Sequence, residues 1–364
     1  MIRIPVTTPS RSYEVLIGSG SLARGGESLG NLLGSRKAFV VTVPPVRKRW
    51  AKVLVQSLTE AGIETALLEM PDGERAKRLS TLEKLAEQLV QTGADRGATL
   101  IALGGGVVGD VTGFLASVYM RGVDVIQVPT TVLAQVDAAI GGKTGVNLLA
   151  GKNLLGTFHQ PRAVLVDPAV LKTLPAREYR AGLYESLKCG IIGDAGLFRV
   201  FEEKHKEILA REPEVVERVI ADSVRMKASV VSADEREGGL RQVLNLGHTI
   251  GHALEAETGY KLLLHGEAVG WGLVTATYIA LSTGKLDSVT AGRIMNAVLG
   301  LGELPRVNVK TANILKRLKF DKKTRQGVVH FILPREIGKV EITSDVAETA
   351  VRAAVEEMRK LARN

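Results

Sequence analysis

The 364-residue chain has a single cysteine, Cys189, so no internal disulfide can form and a reducing compartment is expected. It also lacks an uninterrupted apolar run. The most apolar helical stretch, Leu262 to Leu281, is broken by His265 and Glu267, which argues against a membrane span. The opening residues, MIRIPVTTPSRSYEVLIG, contain no apolar block of the signal-peptide kind, and a cytoplasmic location is the expectation. Aromatic residues make up only 4% of the chain, and the lysines and arginines behind its net charge of +9 are scattered, so nucleic acid is a poor partner for it. An anionic small substrate drawn to a basic pocket answers the charge better. What remains, 45% hydrophobic and 24% charged residues, is a globular composition long enough for one large domain or two ordinary ones.

Two short alternating runs, Ile2 to Thr7 and Tyr13 to Ile17, predict an opening hairpin. KAFVVT (37–42), ETALLEM (64–70), TLIALGGG (99–106), DVIQVP (124–129) and AVLVD (163–167) follow as compact apolar strands, most of them separated by helical spacing such as Arg47 to Ala61 and Ala76 to Thr92. Strand and helix alternating in this way predict a Rossmann-like α/β domain with a mostly parallel sheet covered on both faces. From about Thr173 the alternation stops. Long helical patterns over 179–192, 214–232, 246–257, 267–282 and 346–361, with one small hairpin in VVHFILPREIGKVEI, predict a mainly helical second domain. The boundary is placed between 172 and 173.

ALGGGVVGD, Ala102 to Asp110, leaves a strand and enters a helix. Glycines there let the backbone approach a phosphate, and a helix N-terminus favours its charge. A glycine turn of this kind is often only tight packing. Two more polar, glycine-bearing loops, PDGERAK (71–77) and VPTTVLAQVDAAIGGKTGVN (128–147), end neighbouring strands. Ligands of open parallel sheets sit beyond the strands' carboxyl ends, so the three loops together suggest a dinucleotide.

Three of the six histidines fall within LNLGHTIGHALEAETGYKLLLHGEAVG, residues 244–270. His248 and His252 are four apart and share a helical face, as paired metal ligands do. No Glu follows His248, so the H-E-x-x-H protease motif is absent. His265 begins another helical run, and Glu185 stands in the otherwise apolar AGLYESLKCG, where an unpaired carboxylate is costly. Two imidazoles and a carboxylate describe a catalytic divalent-metal site. A lone histidine is more often a hydrogen-bonded core residue, and helical glutamates commonly face solvent; clustering weakens the first of these readings. Cys189 reads as a small buried apolar residue.

The blocks PDGERAK, GGGVVGDVTGF, YMRG, VPTTVLAQVDAAIGGKTGVN, GKNLLGTFHQP, DPAVLKTLPAREYRAGLYESLKCG, DEREGGLRQVLNLGHTIGHALE, HGEAVGWG and FDKK, in this order, resemble the 3-dehydroquinate synthase family of sugar-phosphate cyclases along nearly the whole chain. The resemblance implies a dehydroquinate synthase-like fold and a lyase that turns 3-deoxy-D-arabino-heptulosonate 7-phosphate into 3-dehydroquinate and phosphate. Its course would be transient NAD-dependent oxidation, phosphate elimination, re-reduction, ring opening and aldol closure. Glu185, His248 and His265 would hold one divalent ion, zinc or alternatively cobalt, which makes His252 a substrate-site residue rather than a ligand. NAD would lie by Gly105, Gly106, Val107 and Asp110, with Glu74, Lys77, Thr130, Thr131, Lys143, Lys152, Thr173, Leu174 and Glu178 also in its site. The substrate would meet Asp137, Lys143, Asn153, Lys188, Lys227, Arg241, Asn245, His252 and one of Lys322 and Lys323, taken as Lys322. Arg121 would reach the phosphate in the neighbouring subunit of a homodimer. Taken alone, each of these lysines and arginines would be a solvated surface charge.

The chain departs from the family at Val43 and Pro45, where Asp or Asn usually stands near the adenosine end of NAD. Ala138 and Ala139 replace small hydroxyl residues, and Tyr184 replaces a small residue beside Glu185. The nearest rivals are sister cyclases making a valiolone or inosose ring, against which Arg241, Asn245 and His252 keep the dehydroquinate pattern. A polyol dehydrogenase with net NAD turnover is the rival from another class.

Overall fold

The structure, a computed structural model, describes residues 1–320 and 329–363, with the side chains of all of these except 319 and 320. Lys322 and Lys323 lie outside the described residues. The chain divides into two compact units, Met1–Pro175 with Val216–Arg236, and Ala176–Val215 with Glu237–Asn364.

In the first unit the strands are β1 (Ile2–Thr7), β2 (Ser12–Ile17), β3 (Lys37–Thr42), β4 (Glu64–Glu69), β5 (Thr99–Gly104), β6 (Asp124–Pro129), β7 (Lys143–Leu148), β8 (Gly151–Phe158) and β9 (Ala163–Val166). Helices α1 (Gly25–Leu29), α2 (Pro44–Val46), α3 (Lys52–Glu60), α4 (Leu79–Gln91) and α5 (Gly106–Val118) lie between them. Seven strands form one sheet in the order β1-β2-β9-β6-β5-β3-β4, parallel except for β1, whose hairpin with β2 supplies the edge. Every residue of β5 is buried, the mark of a strand covered on both faces, and this is why TLIALG shows no alternation. Phe39, Val41, Leu100 and Ala102 meet Leu85 and Leu89 of α4 and Val111 and Leu115 of α5 in one core. Full burial of such side chains contributes about 1.5–3 kcal/mol each.

The chain runs from β3 outward to β4 and then returns across β3 to β5, so the winding reverses between β3 and β5. In open parallel sheets that switch point is where ligands bind, beyond the carboxyl ends. The antiparallel β7–β8 hairpin was not expected from the sequence. Its glycines serve close backbone approach: a Cβ on Gly145 would lie 2.6 Å from the Leu155 carbonyl oxygen.

The second unit is built from α6 (Ala176–Gly193), α7 (Ala195–Glu203), α8 (His205–Leu209), α10 (His248–Glu257), α11 (His265–Ser282), α12 (Ser288–Gly300), α13 (Thr311–Phe320), α14 (Glu348–Leu361) and the hairpin β10 (Phe331–Glu336) and β11 (Lys339–Thr343). Helix α9 (Pro213–Ala233) gives most of its length to the first unit. Helix α11 is buried nearly all round, which is why its sequence looks apolar enough for a membrane, yet no helix among the described residues is long and apolar enough to cross one. Glycines let it pack closely: Gly266 lies against the Ala181 carbonyl of α6, and Gly272 against that of Gly247 at the start of α10.

Candidate active site

Glu185 lies fully buried in the middle of α6, and neither of its carboxylate oxygens has a hydrogen bond of good geometry. The Lys188 ammonium, one turn on, pairs with Oε2. Two imidazoles face Oε1: His248 Nε2 at 3.6 Å and His265 Nε2 at 3.4 Å. Each ring sits on the first residue of its helix and is fixed from behind. His248 Nδ1 is 3.1 Å from the Leu246 carbonyl, which can only accept, so Nδ1 carries the proton and Nε2 keeps its lone pair. His265 Nδ1 is held at 3.2 Å by Glu255. A tetrahedral ion with bonds of about 2.0–2.1 Å separates its ligands by about 3.4 Å, and a metal-ligating histidine donates its other nitrogen to a carboxylate or carbonyl. Both requirements are met, so the residues fit a divalent metal.

Electrostatics agree with the geometry. Burial pushes Glu185 up, but the neighbouring Lys188 ammonium and the His265 ring hold its carboxyl well below the usual range and keep it ionised. Burial disfavours charge on His265, yet hydrogen bonds and charge from Glu185 and Glu255 raise it to about 10, so a metal must displace that proton. His252 is half-buried, its ring 5.3 Å from that of His248 and 5.9 Å from that of His265. With Glu255 and His265 it forms a second group of donors within 4.8 Å, but the His265 nitrogen on that side already meets Glu255. Arg241 is 1% exposed in the 3-10 turn Leu240–Asn245, and Asn245 donates to Glu237 at 2.7 Å. Tyr184 packs beside Gly270, where an added Cβ would lie 3.1 Å from the ring. Glu255 was missed in the sequence, although it extends the His248–His252 face by the next helical step.

In the first unit α5 begins at the switch point. Gly105 precedes it without a side-chain cap, so no N-cap side chain satisfies the first N–H groups of α5, and a helix N-terminus of this kind favours an anion. A Cβ on Gly106 would lie 3.2 Å from Ala138, so the turn fits closely over that residue. Thr130 is buried and donates its N–H to the Gly104 carbonyl at 2.9 Å, and Thr131 Oγ1 accepts from the Ala134 N–H at 3.2 Å. Asp110, one turn into α5, pairs with Lys77, which also bonds Asn153. Burial raises Asp110 despite that ammonium. Asn147 joins the chain, donating to Glu74 at 2.7 Å and accepting the Asn153 N–H at 2.9 Å. It was missed too, although it closes the quoted block GGKTGVN. Lys227 of α9 donates to the Asp137 carboxylate at 2.5 Å and to its carbonyl at 2.6 Å. Lys143 begins β7, exposed, and Lys152 lies in β8. Thr173 accepts a hydrogen bond from Trp50 at 3.2 Å, Leu174 follows it, and Glu178 stands in the first turn of α6. Arg121 is exposed on a turn where Met120, Arg121 and Gly122 all have positive φ (47°, 71° and 123°).

A buried carboxylate–imidazole set on helices and an uncapped glycine turn on a doubly wound sheet define a metal- and nucleotide-site architecture, and solved structures share it. A 2-epi-5-epi-valiolone synthase from Streptomyces hygroscopicus with NAD+ and Zn2+ bound superposes with a TM-score of 0.88 at 30% identity, covering 96% of this chain and 97% of that one. A 2-deoxy-scyllo-inosose synthase complexed with carbaglucose-6-phosphate, NAD+ and Co2+ gives 0.86 at 26% identity, covering 99% and 100%. The fold is that of the sugar-phosphate cyclases. Within them, the 3-dehydroquinate synthase N-terminal model matches residues 67–181 and the C-terminal model residues 182–324, and the 3-dehydroquinate synthase of Koribacter versatilis is 56% identical over 362 residues, 99% of each chain. The chain belongs to the 3-dehydroquinate synthase family. It is an enzyme of that type, a lyase-class cyclase converting 3-deoxy-D-arabino-heptulosonate 7-phosphate to 3-dehydroquinate and phosphate.

Proposed function

We propose that NAD is held by the first unit and a divalent ion, zinc or cobalt, by the second. The observation that carries this is the convergence of His248 and His265 Nε2 on Glu185 Oε1, each ring fixed from behind. When bound, NAD accepts and returns a hydride, and the ion supplies Lewis acidity to hydroxyl and ketone oxygens. Glu185, His248 and His265 hold the ion. The α5 N-terminus at Gly105, Gly106 and Val107 takes the pyrophosphate. Glu74, Lys77, Asp110, Thr130, Thr131, Lys143, Lys152, Thr173, Leu174 and Glu178 orient the rest of the cofactor.

Lys188, Arg241, Asn245, His252, Asp137, Lys143, Asn153 and Lys227 meet the substrate. Their cations answer its carboxylate and phosphate with charge-assisted hydrogen bonds, and His252 is suited to moving protons. Lys322 belongs to the same set by resemblance. Arg121, exposed on its strained turn, acts across a homodimer on the partner's phosphate site. The location is cytoplasmic, in keeping with the single cysteine.

The test is phosphate release from the heptulosonate 7-phosphate with NAD, before and after metal chelation. Release that requires metal and leaves no net NADH is expected. Steady NADH production would point instead to a polyol dehydrogenase.

A further inference from the structure

We propose that Trp50 forms an aromatic wall for the adenine of NAD, in place of the hydrogen-bonding side chains absent at Val43 and Pro45. The inference rests on NAD binding at the α5 N-terminus. The chain leaves β3 at the switch point through Val43, turns into α2, widens into a π-helical turn at Arg47–Ala51 and continues as α3. Such π turns are uncommon and recur at functional sites. Trp50 lies within it and is only half-buried, unlike Trp271, the other tryptophan, which is 2% exposed in α11.

Its ring is anchored. Nε1 donates to Thr173 Oγ1 at 3.2 Å, and Thr173 in turn donates to the Val170 carbonyl at 3.2 Å. The indole therefore ties the segment after β3 to the segment after β9, and the carboxyl ends of β5 and β6, where the glycine turn begins, lie between those strands in the sheet. At this edge Val43 is 4% exposed and Pro45 has neither a polar side chain nor an N–H, so neither side chain can hydrogen-bond a ribose or base. Every base has a π face, and an anchored indole binds one without needing hydrogen-bond complementarity.

The experiment measures NAD, ADP-ribose and nicotinamide mononucleotide binding to the full chain by calorimetry, with wild type, Trp50→Ala and Trp50→Phe, and follows the fluorescence of Trp50 alone in Trp271→Phe. Trp50→Ala is expected to weaken NAD and ADP-ribose about tenfold and to leave the mononucleotide unchanged, and Trp50→Phe to restore most of the loss. Trp50 fluorescence should be quenched as NAD saturates. Unchanged NAD affinity in Trp50→Ala, or equal weakening of all three ligands, overturns the proposal while leaving the cofactor reading intact. A wild-type chain that binds no NAD overturns both.

Discussion

Replacing Gly266 with Ala tests whether the metal set depends on the close approach of α11 to α6. A Cβ at Gly266 would sit 1.7 Å from the Ala181 carbonyl oxygen and 2.5 Å from its carbon, whereas real Cβ contacts essentially never fall under 3.0 Å. The obstruction is backbone, which cannot rotate away, so the two helices must separate by about 1.3 Å, the difference between those distances. Overpacking of this kind costs about 1–3 kcal/mol, and the gain from alanine's helix propensity, about 1 kcal/mol, offsets only part of it. The geometric consequence is larger than the energetic one. Glu185 rides on α6 and His265 is the residue before Gly266, and metal–ligand distances hold only within about 0.2 Å. Gly266→Ala is therefore expected to lower the melting temperature by a few degrees and to weaken zinc binding more than tenfold in chelator competition. Gly292→Ala is the control: nothing lies within 4 Å of a Cβ there, so it should be neutral or stabilising by up to about 1 kcal/mol. Melting temperature and zinc affinity both equal to wild type in Gly266→Ala would refute the reasoning.

Glu255→Gln leaves Glu185, His248 and His265 in place but removes the carboxylate behind His265, and zinc affinity should fall about 10–100-fold in chelator competition; an unchanged affinity would show that Glu255 does not tune the site. Glu235 is buried, which pushes its carboxyl up, but hydrogen bonds from the Ser10 hydroxyl, the Gln160 amide and the Thr8 hydroxyl hold it below 4.5. A lowered folded value means that the stability it contributes is present above pH about 4.5 and is lost as the pH falls through the folded value. Glu235→Gln should thus cost about 1.5–3 kcal/mol at neutral pH and flatten the acid limb of the melting curve, and an acid limb identical to wild type would count against it. If Arg121 acts across the proposed homodimer, Arg121→Ala and Lys227→Ala should each be nearly inactive yet regain activity when mixed and allowed to exchange subunits, because a hybrid dimer would then have one intact site; no recovery would place Arg121 in its own subunit's site. His252→Ala should slow phosphate elimination only slightly in single-turnover measurements if the substrate phosphate itself takes the C–H proton, and complete loss would assign that proton to His252.

Strand positions were readable because β3, β5, β6 and β9 are buried on both faces and so appear as short apolar runs, and α9 and α10 because a helix with a core face repeats its apolar residues locally. What stayed hidden depends on partners distant in the chain. The β7–β8 hairpin was not expected because its glycines are selected by the opposing strand, Gly145 by the Leu155 carbonyl, and not by a local preference. The same distinction runs through the candidate site. His248, His252 and His265 stand out as a chemical cluster, but the sequence cannot say that His265 turns Nε2 to Glu185 and Nδ1 to Glu255, since that orientation is fixed by α6 and α10 together. Asn147 is inconspicuous until β7 brings it to Glu74 and to the Asn153 N–H. Gly266, Gly270 and Gly272 look like weak points in a helix on propensity alone, at about 1 kcal/mol each relative to alanine. Against Ala181, Tyr184 and Gly247 they are the condition for α11 to lie close enough to α6 and α10 that a carboxylate from one helix and imidazoles from two others bring their donor atoms within 4.8 Å of one another. In this family of helices the residues that do no chemistry set the distance at which the chemistry can occur.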